Sequence, residues 1–229
     1  MKKIVLITVL FLQTTFMYAQ TLVSFGLKGG INMPNVSNSS DIQAQYDLIN
    51  AKTTVLLYGF TVGSIASFEL TDNLNLFTEF DFIQKGFNLN IKDLYNEAGD
   101  EYIDELDMTN RFSFIEFTPS ISYDITKQLL IKLGPFLGFA ISGKRELLDY
   151  DPTIGYTSSF YNVNFKNDEI SRWDYGFNIG FSYVINNHTS LNTGYCLGLS
   201  NLKKNADLGG SQKTTGIYLT VGYLFDNKK

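Results

Sequence analysis

The chain has 229 residues, a formal charge of −5, 15% aromatic side chains, 19 glycines, 4 prolines and one cysteine, Cys196. That length suits one all-β domain. The lone cysteine excludes an intramolecular disulfide and a thiolate metal cluster, and the acidic balance argues against a nucleic-acid partner, which needs a basic patch. Beyond the N-terminal leader no segment approaches 18 consecutive apolar residues, so no transmembrane helix is expected. A β-barrel escapes such scans, because alternate residues cancel in the average.

Residues 1–19 read as a secretory signal peptide. Lys2-Lys3 is the charged start, and Ile4 to Phe16 is an apolar run interrupted by Gln13-Thr14-Thr15. Cleavage after Ala19 leaves residues 20–229 as one β-barrel domain, although Met17 departs from the small residue usual three positions before a cut. No cysteine follows the cut, so no lipoprotein anchor is expected. Losing Lys2 and Lys3 takes the net charge from −5 to −7.

The mature chain then repeats one design. Residues 24–33 alternate Phe25, Leu27, Ile31 and Met33 with Ser24, Gly26, Lys28, Gly30 and Asn32. Such period-two alternation predicts a strand with two unlike faces. Residues 54–70 carry Tyr58, Phe60, Val62, Ala66, Phe68 and Leu70 on one face, and Thr71-Asp72-Asn73 predicts a tight turn. In 74–89, Leu74, Leu76, Phe80 and Phe82 oppose Asn75, Glu79, Asp81 and Lys85. Residues 111–123 set Ile115, Phe117, Ile121 and Tyr123 against Glu116, Thr118, Ser120 and Ser122. In 129–145, Leu129, Ile131, Leu133, Leu137, Phe139 and Ile141 oppose Lys132, Gly134, Gly138, Ala140, Ser142 and Lys144.

Residues 173–185 are the clearest case. Trp173, Tyr175, Phe177, Ile179, Phe181, Tyr183 and Ile185 alternate with Asp174, Gly176, Asn178, Gly180 and Ser182. Residues 189–199 and 216–225 complete the set, the latter with Ile217, Leu219, Val221, Tyr223 and Phe225 on the bulky face. Pro119 and Pro135 break the rule against mid-strand proline. They lie at similar distances from the 124–128 turn, which predicts one bulge or kink shared by that hairpin.

The sum is eight strands joined alternately by short turns (71–73, 124–128 and 186–188) and long loops (34–53, 90–110, 146–171 and 200–215). That alternation, with bulk on one face and glycine or serine on the other, predicts an all-β fold: an eight-stranded antiparallel up-and-down transmembrane β-barrel. Both termini fall on the side of the short turns, the periplasmic side. A soluble barrel with the same pattern turned inward would force about forty large side chains into a lumen that eight strands fill with far fewer.

The inward positions hold charges of both signs: Lys28, Glu69, Glu79, Asp81, Lys85, Glu116, Lys132, Lys144 and Asp174. Buried charges cost several kcal/mol each unless paired, so these predict a structural salt-bridge network that plugs the lumen, with Phe136 and Tyr218 adding bulk. The rival reading of the same residues is a proton or ion path. Outward aromatics predict two interfacial girdles. Tyr58, Phe60, Trp173 and Tyr175 lie near the long-loop end; Phe25, Phe68, Tyr123, Tyr183, Tyr223 and Phe225 lie near the turn end.

His188, the only histidine, falls in a turn, and Cys196 reads as a small lumen-filling residue between Gly194 and Gly198. No nucleophile, base and orienting group come together, so neither an enzyme nor a cofactor or metal site is expected. Outer-membrane lipid is the expected partner. Envelope proteins or an extracellular ligand would meet the four long loops, of which 146–171 is rich in tyrosine.

Several segments resemble the porin-family outer-membrane β-barrel proteins of the PorT-like type. They are Phe25-Gly26-Leu27-Lys28-Gly29-Gly30-Ile31-Asn32, Gly134-Pro135-Phe136-Leu137-Gly138 and Gly198-Leu199-Ser200-Asn201-Leu202. Ile115-Glu116-Phe117-Thr118-Pro119 joins them, with Thr118 inserted relative to the family's pattern. The resemblance spans nearly the whole mature chain. It implies the barrel fold and a Gram-negative outer-membrane location, and for a few members service to a secretion or gliding machine. A structural or binding barrel is the first functional expectation, such an accessory barrel the second, and an enzyme or small pore the last.

Overall fold

A computed structural model of the protein describes residues 21–54, 57–95, 101–151, 155–167, 170–204 and 210–226. The leader and its cleavage site lie outside these residues. The chain runs β1 (Thr21–Asn38), α1 (Ser40–Leu48), β2 (Ala51–Thr54), β3 (Gly59–Thr71), β4 (Leu74–Tyr95), β5 (Glu101–Asp124) and β6 (Leu129–Asp151). It continues through β7 (Gly155–Asn162), β8 (Trp173–Val184), β9 (Thr189–Gly198) and β10 (Gln212–Asp226).

Eight of these strands form the ring β1-β3-β4-β5-β6-β8-β9-β10, every neighbour antiparallel. β10 returns to β1 over the register Ser24↔Asp226 to Asn38↔Gln212, which closes the wall. Alternation sets the faces. Along β8 every odd position is exposed, and its even positions are buried or half-buried. The outward band includes Leu27, Ile31, Val62, Phe80, Phe117, Leu133, Leu137, Phe177, Ile179, Leu219 and Val221.

The three short turns are local constructions. Thr126 Oγ1 accepts from the amides of Gln128 and Leu129, and Asn186 Oδ1 accepts from those of His188 and Thr189. These side-chain acceptors stand in for the missing ladder partners. The ends of β1 and β10 nearest the termini lie beside these turns.

Two of the expected long loops, 90–110 and 146–171, are largely strand among the described residues. β4 and β5 stay paired out to Leu94↔Ile103 and Tyr95↔Glu101, so 90–95 and 101–110 are the far arms of a strand pair. β2 pairs with β4 at Asn88–Ile91, taking the edge that β3 occupies lower down. β7 likewise pairs with β6 at 144–151, above β8. The 34–53 segment contains the end of β1, α1 and part of β2; 200–215 holds the bridge Ile170↔Lys203 and the start of β10. The wall therefore rises past the apolar band on the loop side.

Pro119 and Pro135 produce no bulge. The register is the same on both sides of them, Phe117↔Leu137 and Ile121↔Leu133, which sets the two prolines opposite each other. Neither has an N–H to give, so the ladder simply lacks bonds there. The register shift in this hairpin lies instead between Ser113 and Phe114.

Because Ile179 is outward and central on β8, Ile179→Arg should destabilise the folded barrel in lipid by about 2–4 kcal/mol. Ile179→Val should stay close to wild type. Urea unfolding in phospholipid vesicles measures both, and equal stabilities would mean that this face does not meet lipid.

Candidate functional site

The lumen is built in layers. At the turn end Ile65, Phe77 and Leu130 are buried together, with Val184 and Leu224 packed on them. At the loop end Val36, Phe87, Phe112, Phe114, Ala140, Val163, Phe165 and Leu202 form a second apolar layer. The charges lie between.

Lys28 of β1 pairs with Glu79 and, at 2.7 Å, with Asp81, both inward positions two apart on β4. Lys132 of β6 reaches Glu79 Oε1 at 3.5 Å and donates to Asn192 Oδ1 at 3.4 Å. Asn192 also accepts from the Ser182 hydroxyl at 2.7 Å. Lys85, one strand-turn further up β4, sits between Glu116 at 2.5 Å and Asp174 at 2.9 Å. Asp174 is fully buried and accepts from the hydroxyls of Ser200 at 2.7 Å and Thr214 at 2.9 Å. The ammonium groups also lie over aromatic faces: Lys85 is 4.0 Å from the Phe136 ring centre and Lys132 is 4.1 Å from that of Phe77. Each charge thus has an opposite charge, hydroxyls or a π-face to replace water.

Glu69 and Lys144 stand apart from this cluster, in contrast to the sequence expectation. Glu69 keeps inward parity but lies at the turn-end mouth of β3, where it is exposed. Lys144 is turned out by the register shift. Ala140 and Gly143 are buried, so the inward parity changes between them and Lys144 faces solvent. One added residue reverses every side chain beyond it.

The inward glycines are notches. A Cβ on Gly194 or Gly180 would lie 2.4 or 2.7 Å from the Tyr218 hydroxyl, and one on Gly176 would lie 2.8 Å from the Phe136 ring. Phe136 and Tyr218 lie across neighbouring strands only because those positions have no side chain. Tyr58, Phe60, Tyr123, Trp173, Tyr175, Tyr183, Tyr223 and Phe225 all point outward and are exposed, and Phe68 is half-buried. Trp173 meets Phe139 edge to face at 4.9 Å, and Phe25 stacks on Phe225 at 6.1 Å. His188 stacks on Tyr223 in its turn, and its Nδ1 lies 3.1 Å from the Leu224 carbonyl. Cys196 is a buried free thiol with its sulfur 3.9 Å from Lys85 Nζ.

Above the loop-end layer the wall carries a cup of about 190 Å³. Its floor includes Phe87, Leu89, Phe112 and Leu202, and its rim Tyr46, Arg145, Lys203 and Gln212. Arg145 donates to Asn110 Oδ1 at 2.9 Å, and Gln212 Nε2 donates to Tyr46 and Asn38. Burial raises the Tyr46 phenol above its ordinary pKa, against the pull of that Gln212 hydrogen bond. Beside the cup, Ala51, Leu89 and Ile91 make a small core with Tyr46, Leu106 and Met108.

The outer membrane protein beta-barrel domain matches residues 18–204 of this chain. The chain belongs to that family. The family's place is the bacterial outer membrane, so the outward apolar band faces hydrocarbon. A search of curated proteins finds no match. Among solved structures the chain is similar to Ail, the attachment invasion locus protein of Yersinia pestis. The identity is 13% over 90% of this chain and all of Ail, with a TM-score of 0.45. Neisserial surface protein A is 12% identical over 88% of this chain and 97% of that one, also at 0.45. OprG of Pseudomonas aeruginosa is 14% identical over 91% and 98%, at 0.31.

The Lys85 cluster can be tested by removing its centre. Lys85→Met strands Glu116 and Asp174 without a counter-ion and should cost about 3–5 kcal/mol. Adding Glu116→Gln and Asp174→Asn should recover part of that loss. Unfolding in detergent micelles measures both, and a neutral single variant would mean that the cluster is not held as an ion pair.

Proposed function

We propose that the protein is a pore-free outer-membrane barrel that serves as a rigid mount for a binding surface at its loop end. The observation that carries this reading is the lumen. Paired ions in the middle and an apolar layer at each end occupy the space through which solutes would pass. The extended hairpins support the second half. Strands β4 to β7 continue beyond the apolar band, and β2, β4, β5 and α1 share a small core there, giving the loop end a fixed shape. The cup there joins an apolar floor to the cationic groups of Arg145 and Lys203, which suits a partner with an apolar body and a negative charge.

In this reading the loop end faces outward, and the turns and both termini face the periplasm. Binding occurs without catalysis: His188 is engaged in a turn at the opposite end from the cup, and Cys196 is enclosed in the lumen. A narrower reading, an accessory barrel of a secretion or gliding machine, is supported by the PorT-like segments around Gly134–Gly138 and Gly198–Leu202. The same loop-end surface would then meet an envelope protein.

Two measurements test the proposal. Purified wild-type protein in planar bilayers should give no stable conductance steps; steady porin-like steps would overturn the pore-free reading. For orientation, a membrane-impermeant maleimide should label Thr157→Cys on intact cells and Asp72→Cys only after the outer membrane is opened. Buried Cys196 leaves little background, and the reverse pattern would invert the barrel.

A further inference from the structure

The buried ion-pair network is one positive charge short. Among the described residues it contains Lys28, Lys85 and Lys132 against Glu79, Asp81, Glu116 and Asp174. Asp81 and Glu116 make the imbalance local, because they are direct partners across β4 and β5 and both point into the lumen. Like charges set opposite each other on neighbouring strands repel. Lys28 engages Asp81 through Oδ2, and Lys85 engages Glu116 through Oε2.

A cavity of about 30 Å³ lies beside this pair, lined by Lys28, Thr61, Glu79, Asp81, Glu116 and Asn178 among others. Four buried oxygen atoms of its lining accept no hydrogen bond: Thr61 Oγ1, Asp81 Oδ1, Asn178 Oδ1 and Glu116 Oε2, the last of which meets the Lys85 ammonium instead. Asp81 and Thr61 are each only 4% exposed. Asp81 Oδ1 lies over Gly63, where a Cβ would come within 2.1 Å of it. The ionisable groups facing the cavity are Lys28 and Lys132 against Glu79, Asp81 and Glu116, and Glu116 takes its counter-ion from outside the lining, Lys85, which it shares with Asp174.

From this we infer that the lumen holds one sodium-sized monovalent cation, bound by Asp81 Oδ1, Thr61 Oγ1 and Asn178 Oδ1. The volume holds about one particle of water size. A water would satisfy the three oxygens but leave the net charge buried at high cost. A proton on Asp81 would cancel the charge but would leave Thr61 Oγ1 and Asn178 Oδ1 without a partner. A small hard cation answers both needs, since such ions take several oxygen ligands at once. A divalent ion would turn the deficit of one into an excess of one. The site is an internal counter-ion site and does not depend on the binding surface at the loop end.

The test uses the full-length barrel in zwitterionic micelles at fixed ionic strength and pH, with sodium chloride replaced stepwise by N-methyl-D-glucamine chloride. The Tm should rise with sodium, by about 5–10 °C once sodium exceeds its Kd about a hundredfold. Asp81→Asn removes the surplus charge and should abolish the sodium response. Should that variant fail to fold, Thr61→Val, which removes one ligand and no charge, should shift the wild-type response to higher sodium. A wild-type Tm that ignores sodium overturns the proposal in favour of a buried water. A Tm that ignores sodium but falls as pH rises overturns it in favour of a proton on Asp81.

Discussion

Hydrocarbon offers no partner to a backbone N–H or C=O, so a chain crossing it in strands must satisfy every one of them within its own wall. The ladder between β1 and β10 meets that demand, because without it both strands would present an open edge to lipid. The other features follow from closure. Once the ring has eight members its interior is narrow, so the inward positions are small, or are large residues laid over small ones. The outward positions are free to be bulky because lipid adapts to any shape. Charges placed inside have no bulk water, so they are arranged against one another.

That interior arrangement trades stability for definition. Replacing a buried ion pair with well-packed apolar groups is often neutral or favourable, while breaking one is costly. Lys85 shows how the cost is contained here. It has two carboxylates and the face of Phe136, and Asp174 on its far side is in turn held by Ser200 and Thr214. Five strands are tied to one ammonium group in this way. A wall so cross-linked from within is a firm base for the hairpins that stand above it.

The repeating two-faced strands were legible in the sequence because each residue step reverses the face, so a strand such as Trp173–Val184 announces both lipid and lumen at once. The turns at Thr71, Thr126 and Asn186 were legible from side chains that mimic backbone acceptors. The same parity brought Lys28, Glu79, Asp81, Lys85, Glu116, Lys132 and Asp174 to inward positions. It also contained Phe112 and Phe114, which share the parity of Glu116, as a signal of the loop-end apolar layer. A bulge has no composition of its own, so the shift at Ser113 and Phe114 that turns Lys144 outward could not be read. The upper hairpin was hidden by its acids. Leu106 and Met108 alternate as a strand should, but Glu105 and Asp107 beside them resemble solvated loop. β7 and α1 carry too short or too weak a pattern to stand out.

The aromatic side chains lying in glycine notches have a consequence for pairing. Tyr218 lies across Gly194 and Gly180, which are matched in one row through β10, β9 and β8, and Phe136 lies against Gly176, matched to Gly198 in another. A slide of β9 along β10 by two residues would preserve the alternation of faces, so lipid and lumen alone would tolerate it. It would bring Tyr218 onto Asn192 or Cys196, side chains where there is now a gap. The two notches therefore act as a vernier, selecting one stagger of the strands from a series that hydrophobicity leaves degenerate, and with it the tilt and girth of the barrel.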